Sequence, residues 1–122
     1  MVKVETQVSV QDNSGTKKAQ CIKIYKGNSG NIGDTILVTI KKLKKNIQAK
    51  NKMKKGSVVK ALIIRTVYKR KNIINNYMRF DQNSVIILNN QEQPVATKIL
   101  GPVTKGLRNK NLKILSIASH II

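Results

Sequence analysis

The sequence predicts a mainly β protein, a small β-barrel that forms a single domain over residues 1-122. Length is the first reason, and it bears on the number of domains: 122 residues are enough for one domain and too few for two ordinary ones. The second is a series of six or seven short apolar runs, separated by frequent turn signals. The third is the apolar content of 40 %, which is enough for one core despite the high charge.

The first strand, a turn and the second strand are predicted near the N-terminal end. Thr6, Val8 and Val10 alternate with polar residues, which is typical of a half-buried strand. The stretch "DNSGTKKAQCIKI" follows at residues 12 to 24. Its first four residues predict a turn, because Asp and Asn side chains bond their own backbone and Gly supplies a positive φ. The second strand is predicted from 18 to 25, where imperfect alternation indicates a bulge or burial of both faces.

Two longer strands are predicted in the middle of the chain. "KGNSGNIGD" (26 to 34) is a Gly/Asn loop, and "TILVTIKKL" (35 to 43) has the pattern of a third strand. A basic loop occupies residues 44 to 56. "SVVKALIIRTV" (57 to 67) predicts the fourth strand, and its nearly continuous apolar character favours a central position in the sheet.

Shorter elements are predicted in the C-terminal half. They are a hairpin over 68 to 80 with its tip near 72 to 76, and strands over 84 to 88 and 96 to 100. Gly101-Pro102 then interrupts the strand pattern. Residues 104 to 119 form the one credible helical region, although Gly106 weakens its first turn by roughly 1 kcal/mol relative to Ala.

Net charge is the strongest functional signal. Twenty-four Lys and Arg residues face five acidic residues, so the formal charge is +19. Such a field repels itself and opposes compaction unless a polyanion neutralises it. Nucleic acid fits, since every lysine that replaces a phosphate counterion adds affinity. The chain has only four aromatic residues for base stacking and four arginines for guanine readout. We therefore predict electrostatic, shape-based binding to structured RNA.

The residues predict no enzyme, no cofactor and no metal site. Acid–base catalysis needs a base and usually an acid within hydrogen-bond reach, yet three of the five carboxylates stand in turn-like sequence. Cys21 lies mid-strand among apolar residues and is interpreted as a core residue. The alternative is a nucleophilic thiol, for which His120 is the only imidazole available as a base. No glycine-rich phosphate loop is present.

Several stretches follow one another in a recognisable order between about residue 5 and residue 119. They are "DNSGTKKAQCIKI", "KKGSVVKALIIRT", "RFDQNSVIILNNQEQPVATKILGPVTKGLR" and "LKILSIAS". Together they resemble ribosomal large-subunit protein fourteen, of the bacterial and organellar type. The resemblance implies a five-stranded β-barrel with a projecting hairpin and short C-terminal helices. It also implies binding to large-subunit rRNA, a contribution to intersubunit bridges with small-subunit rRNA, and no catalysis.

The resemblance implies protein partners as well. These are the neighbouring large-subunit protein nineteen and a ribosome-silencing factor that docks near Thr97 and Lys98. Binding to rRNA is expected from basic residues in loops and at strand rims. They are Lys17, Lys18, Lys23, Lys41, Lys42, Lys44, Lys45, Lys50, Lys52, Lys54, Lys55, Arg65, Lys69, Arg70, Lys71, Arg79, Lys105 and Arg108. The loops at 26 to 32 and 44 to 55 depart from the family pattern, so its contacts there are not transferred.

Composition bears on the source of the chain. It has 20 lysines, 17 isoleucines and 13 asparagines, whose codons are A/T-rich, but only four arginines. This bias and a start without a leader-like segment predict an organelle-encoded mitochondrial ribosomal protein, with a plastid or an A/T-rich bacterium as alternatives. Two other functions stay open: a free-standing basic barrel that binds DNA or RNA, and a peripheral protein on anionic lipid. Membrane insertion is not expected, because no apolar run approaches the roughly 18 to 20 residues that span a bilayer.

Overall fold

The computed structural model describes residues 2–44, 54–67, 70–71, 77–105, 107 and 112–122. Its elements are β1 (Gln7–Val10), β2 (Thr16–Ile24), β3 (Thr35–Leu43), β4 (Val58–Arg65), β5 (Arg70–Lys71), β6 (Tyr77–Met78), β7 (Ser84–Leu88), β8 (Ile99–Val103), α1 (Leu112–Ile117) and β9 (Ala118–Ile121). The mainly β prediction is confirmed. The bounds of β3 and β7 coincide with the predicted ranges, and those of β1, β2 and β4 differ from them by one or two residues.

Five strands close a barrel in the order β1-β2-β3-β4-β7. Consecutive strands from β1 to β4 pair antiparallel, as does β4 with β7. The ring closes where β1 runs parallel to β7, with Ser9 opposite Ser84 and Val10 opposite Val85. Closure leaves no unpaired sheet edge in the barrel. The five-stranded barrel that the family resemblance implied is therefore confirmed.

The barrel interior is filled by apolar side chains from every strand. Val38 and Ile63 are fully buried there, and alternate residues on the same strands point outward. In β2 the register shifts three times against β3, which brings Ala19, Cys21 and Ile24 to the inner face despite their uneven spacing. The predicted bulge is thus confirmed, and so is the assignment of Cys21 to the core.

A second apolar layer covers the outer face of β4 and β7. Leu62 and Ile86 point out of the barrel and pack against β8, α1 and residues near them. Every residue of β7 is consequently buried, and β4 is buried from Ala61 onward. Burial on both faces explains why these two strands lack the alternation of a half-exposed strand.

The C-terminal elements correct the predictions. Strand β8 includes Gly101 and Pro102, which were expected to end it; Gly101 has a φ of 80°, and the register against β9 shifts there. Pro102 is tolerated because β8 lies in a sheet of only two strands, where one edge needs no backbone donor. Of the predicted helix at 104 to 119, the described residues form α1, and residues from Ala118 onward instead form a parallel strand beside β8.

The predicted hairpin is present as the antiparallel pair of β5 and β6, with Arg70 opposite Met78 and Lys71 opposite Tyr77. Its predicted tip, near 72 to 76, lies outside the described residues.

Candidate nucleic-acid interface

Six exposed lysines gather at one end of the barrel. One pair starts β2, a second pair ends β3 and a third precedes β4; because these strands are antiparallel, the three positions meet at the same end. The backbone N–H of Gly56 donates to the carbonyl of Ile40 and joins the third pair to the end of β3. We name this group the lysine cluster. It consists of Lys17, Lys18, Lys41, Lys42, Lys54 and Lys55.

The lysine cluster is electrostatically strained. Lys18 lies directly opposite Lys42 in the β2–β3 ladder, and like charges in facing positions repel each other. In the described part of the chain, Lys26 pairs with Asp34 and Lys60 pairs with Glu92. Neither ion pair includes a residue of the lysine cluster. The cluster therefore presents positive charge that no described carboxylate neutralises, and an external anion would relieve the repulsion.

The turn at residues 12 to 15 organises this end of the barrel. Asp12 is fully buried, and its carboxylate accepts hydrogen bonds from the Ser14 backbone N–H and from the Ile87 backbone N–H, each at 3.0 Å. Gly15 takes a φ of 95°, which glycine adopts without strain. The turn predicted from the sequence is present, and its carboxylate also ties it to the centre of β7.

Asn13 fastens this turn to the exposed segment Thr97–Lys98. Its Oδ1 accepts from the backbone N–H groups of Thr97 (2.9 Å) and Lys98 (3.2 Å), and its Nδ2 donates to Thr97 Oγ1 at 2.8 Å. The Asn13 backbone N–H donates to the Lys98 carbonyl at 3.3 Å. We name these four bonds the Asn13 clip. The clip places the segment predicted to bind protein beside the lysine cluster.

Lys44 is attached to the other side of the same turn. Its ammonium donates to the Asp12 carbonyl at 3.1 Å, and its backbone N–H donates to the Gly15 carbonyl at 2.9 Å. The side chain is half-buried, unlike those of the lysine cluster. The turn thus connects predicted RNA-binding and protein-binding residues within one rigid corner of the molecule.

Arg65 differs from the other predicted RNA-binding residues because it is buried. Its guanidinium donates to the carbonyl oxygens of Leu100 and Pro102, the latter at 2.8 Å. Burial lowers the pKa of Arg65, since desolvation disfavours the charged form, but an arginine remains protonated at neutral pH. The side chain holds β8 against the barrel, so we leave Arg65 out of the proposed RNA-contacting set.

The remaining predicted residues divide into exposed and undescribed ones. Lys23, Arg79 and Lys105 are exposed but lie apart from the lysine cluster. Five others lie outside the described residues: Lys45, Lys50, Lys52, Lys69 and Arg108. Two more, Arg70 and Lys71, are described in the backbone alone. RNA binding stays a prediction at these seven positions, as it does at the exposed ones.

The geometry around Cys21 is that of a structural thiol. The side chain is fully buried, and desolvation raises the pKa of the Cys21 thiol above its ordinary value. A raised pKa keeps the sulfur protonated and weakly nucleophilic at neutral pH. Among the residues that the structure describes, no three His, Cys, Asp or Glu side chains are grouped to hold a metal ion. No helix in the described residues is long and apolar enough to cross a membrane.

Asn13 and Tyr25 were not singled out from the sequence. Asn13 reads locally as one more turn residue, and its partners lie 84 and 85 residues away along the chain, so no local pattern reveals the clip. Tyr25 lies directly after β2, and only the folded barrel adds the ammonium group of Lys60 to that of the nearby Lys23 over its ring.

Comparison with known protein families gives a match over the full sequence. Residues 1–122 match the family model described as ribosomal protein L14p/L23e. The match includes the turn at residues 12 to 15, all five barrel strands and the C-terminal elements.

Proposed function

Because the chain belongs to the ribosomal protein L14p/L23e family, whose members are structural components of the large ribosomal subunit, we propose that its lysine cluster binds large-subunit rRNA through phosphate contacts. Family membership also places the protein at the ribosome. The proposed role is architectural, without catalysis: a rigid barrel presents fixed positive charges to a folded RNA surface.

One observation carries this proposal: Lys18 faces Lys42 across neighbouring strands, with no described carboxylate beside them. Repulsion between facing lysines destabilises the isolated protein, whereas phosphate groups between them would turn the same arrangement into attraction. Paired barrel strands hold the backbone of these lysines in place, so little backbone freedom is lost on binding.

Salt dependence of binding tests the proposal. We expect the affinity of the purified protein for large-subunit rRNA to fall linearly on a log–log plot, with a slope of roughly 0.7 to 0.9 per phosphate contacted. Replacing Lys17 and Lys18 together by alanine should flatten the slope by about two units. Lys3→Ala is the matched control, because Lys3 is exposed but lies outside the predicted set. An affinity that does not change with salt would contradict the proposal.

We further propose that the basic loop between β3 and β4 contributes to bridges with small-subunit rRNA. The loop leaves the barrel beside the lysine cluster, at Lys44, and returns at Lys54. We expect Lys45→Ala combined with Lys50→Ala to leave large subunits assembled but to lower the ratio of joined ribosomes to free subunits. Sedimentation at several magnesium concentrations measures that ratio. Loss of the variant from large subunits would instead identify the loop as an anchor on large-subunit RNA.

The segment Thr97–Lys98 is proposed to contact a ribosome-silencing factor. Support comes from its exposure and from the Asn13 clip, which holds its backbone in one conformation before a partner arrives. A Thr97→Ala, Lys98→Ala variant should still enter large subunits but should bind the silencing factor more weakly in a pull-down. Unchanged capture of the silencing factor would contradict the assignment.

A mitochondrial ribosome is the proposed location, with a plastid or an A/T-rich bacterium as alternatives. The support is compositional: 20 lysines but only four arginines. Density-gradient sedimentation of tagged protein from fractionated cells tests it. Co-sedimentation with large subunits in the mitochondrial fraction is expected, whereas migration apart from ribosomes would favour a free-standing nucleic-acid binder.

A further inference from the structure

A groove crosses the outer wall of the barrel, away from the lysine cluster. Its volume is about 550 Å³. Its apolar and aromatic lining comes from Tyr25 directly after β2, from Leu62 and Leu88, and from Ile114 of α1. Its charged lining residues are Lys26, Asp34 and Glu92. The functions proposed above make no use of this groove.

The aromatic wall of the groove is exposed and flanked by positive charge. Tyr25 retains 48 % of its accessible surface. The Lys23 ammonium lies 5.4 Å and the Lys60 ammonium 5.9 Å from the centre of the Tyr25 ring. Strand register explains this convergence, because Lys23 and Lys60 both lie opposite Leu37, on either side of β3. Each ammonium is within the range of a cation–π interaction.

Positive charge around the ring is only partly compensated. Lys60 and Glu92 are 3.9 Å apart, as are Lys26 and Asp34, and both distances are long for a charge-assisted hydrogen bond. In the described part of the chain, neither of these ion pairs includes Lys23. An anion beside Tyr25 would therefore meet ammonium groups that are weakly engaged with protein carboxylates.

We propose that this groove binds an unpaired nucleotide of RNA, with the base stacked on Tyr25 and the phosphate outside the groove, held by Lys23 and Lys60 beside the ring. The proposal rests on the proposed rRNA binding and adds a second mode to it, because the lysine cluster reads only the backbone. A base offers its π face when it is unpaired, and aromatic side chains accept any base in this way. The combination of an exposed ring and adjacent lysines favours a nucleotide over an apolar protein segment.

Single-stranded oligonucleotides with and without bases test the proposal. The full chain is titrated into fluorescently labelled oligoadenylate and into an abasic strand of equal length, which keeps the phosphates. We expect Tyr25→Ala to weaken binding to oligoadenylate by roughly 5-fold to 100-fold, the range for loss of one base–aromatic stack. Binding to the abasic strand should not change, and Tyr25→Phe should behave as wild type. Val58→Ala is the matched control, because Val58 is 54 % exposed on the same wall but does not line the groove.

Equal losses on both strands, or no loss on either, would overturn the stacking proposal. Salt-dependent binding to large-subunit RNA separates failure of the stacking proposal from failure of the proposed function. If the wild-type protein shows this binding while Tyr25→Ala has no effect on oligoadenylate, only the stacking proposal is wrong. Absence of that binding in wild type would contradict the proposed function itself. A photo-crosslinking amino acid at position 25 in assembled ribosomes gives a second readout. A crosslink to RNA supports the proposal, and one to protein overturns it.

Discussion

Replacing Asn13 by alanine tests whether the Asn13 clip holds the segment Thr97–Lys98 in place. The change removes three side-chain hydrogen bonds, to the two backbone N–H groups and to Thr97 Oγ1. The backbone bond from Asn13 N–H to the Lys98 carbonyl survives, as does the bond from Leu100 N–H to the Gln11 carbonyl. The segment should therefore remain attached while its amides open more often.

The structure sets the expected size of the effect. These bonds lie at the surface, where each contributes about 0.5 to 1 kcal/mol net because water replaces the lost partner. Three of them give a loss of about 2 kcal/mol in the free energy of local opening. Since each 1.4 kcal/mol is tenfold, the amide protons of Thr97 and Lys98 should exchange roughly 30-fold faster. Hydrogen exchange followed by NMR or mass spectrometry measures this, and urea denaturation gives the global stability.

Two matched variants isolate the clip. Asn13→Asp keeps the oxygen that accepts both backbone bonds, and the Thr97 hydroxyl can turn to donate, so protection should stay near wild type. Thr97→Val removes one bond alone and should cost about 0.5 to 1 kcal/mol. Exchange at Thr97 and Lys98 that is unchanged in Asn13→Ala would refute the reasoning. So would a uniform acceleration of all amides, since that would mean global destabilisation.

Further predictions concern two glycines with a positive φ and two buried side chains. Gly101→Ala should lower the free energy of unfolding by about 3 kcal/mol, because a φ of 80° is strained for alanine and the new Cβ would lie 2.5 Å from the Arg65 guanidinium. Gly56→Ala, at a φ of 86° with open space around it, should cost only about 1 to 2 kcal/mol, and urea denaturation measures both. Equal losses would disprove the clash. Asp12→Ala should cost about 3 kcal/mol, since it leaves the buried Ile87 N–H unpaired; a loss below 1 kcal/mol would show that the turn holds without the carboxylate. Cys21→Ala should cost on the order of 1 kcal/mol with RNA binding intact, and native Cys21 should resist alkylation. Because burial raises the pKa of Cys21, the folded protein keeps the thiol proton at a pH where the unfolded chain loses it. The stability of the wild type should therefore fall relative to that of Cys21→Ala as the pH rises above 9.0, the ordinary pKa of the thiol. A constant stability difference across that pH range would contradict this.

The barrel strands were predictable because their signals are local. Alternation in β1 and β3, and the turn at residues 12 to 15, depend on neighbours in sequence. Strand β7 could be located from its apolar run alone, although its burial on both faces depends on β8 and α1. The C-terminal errors have the opposite origin. An isoleucine-rich ending fits a helix face and a strand equally well, and pairing with β8 decides in favour of β9.

The candidate interface likewise has features that the sequence predicts locally and others that depend on contacts between distant residues. Lysine-rich pairs at strand ends are visible in the sequence, and the antiparallel hairpins bring them together. Charge alone could not separate Arg65 from the surface lysines, because its partners at Leu100 and Pro102 lie 35 and 37 residues away. Lys44 is a similar case, since its ammonium bonds to Asp12, which lies 32 residues earlier.

Closure of the barrel between β1 and β7 affects the chain while it is being synthesised. Ser9 can meet Ser84 only after most of the protein has emerged, since synthesis proceeds from the N-terminus. Until then, β1 and β4 each present an unpaired edge, which is a template for joining another chain. The excess of Lys and Arg over acidic residues along the chain opposes such encounters between two unfinished copies. The lysines that we propose to contact RNA thus also oppose aggregation of the nascent protein until the barrel closes.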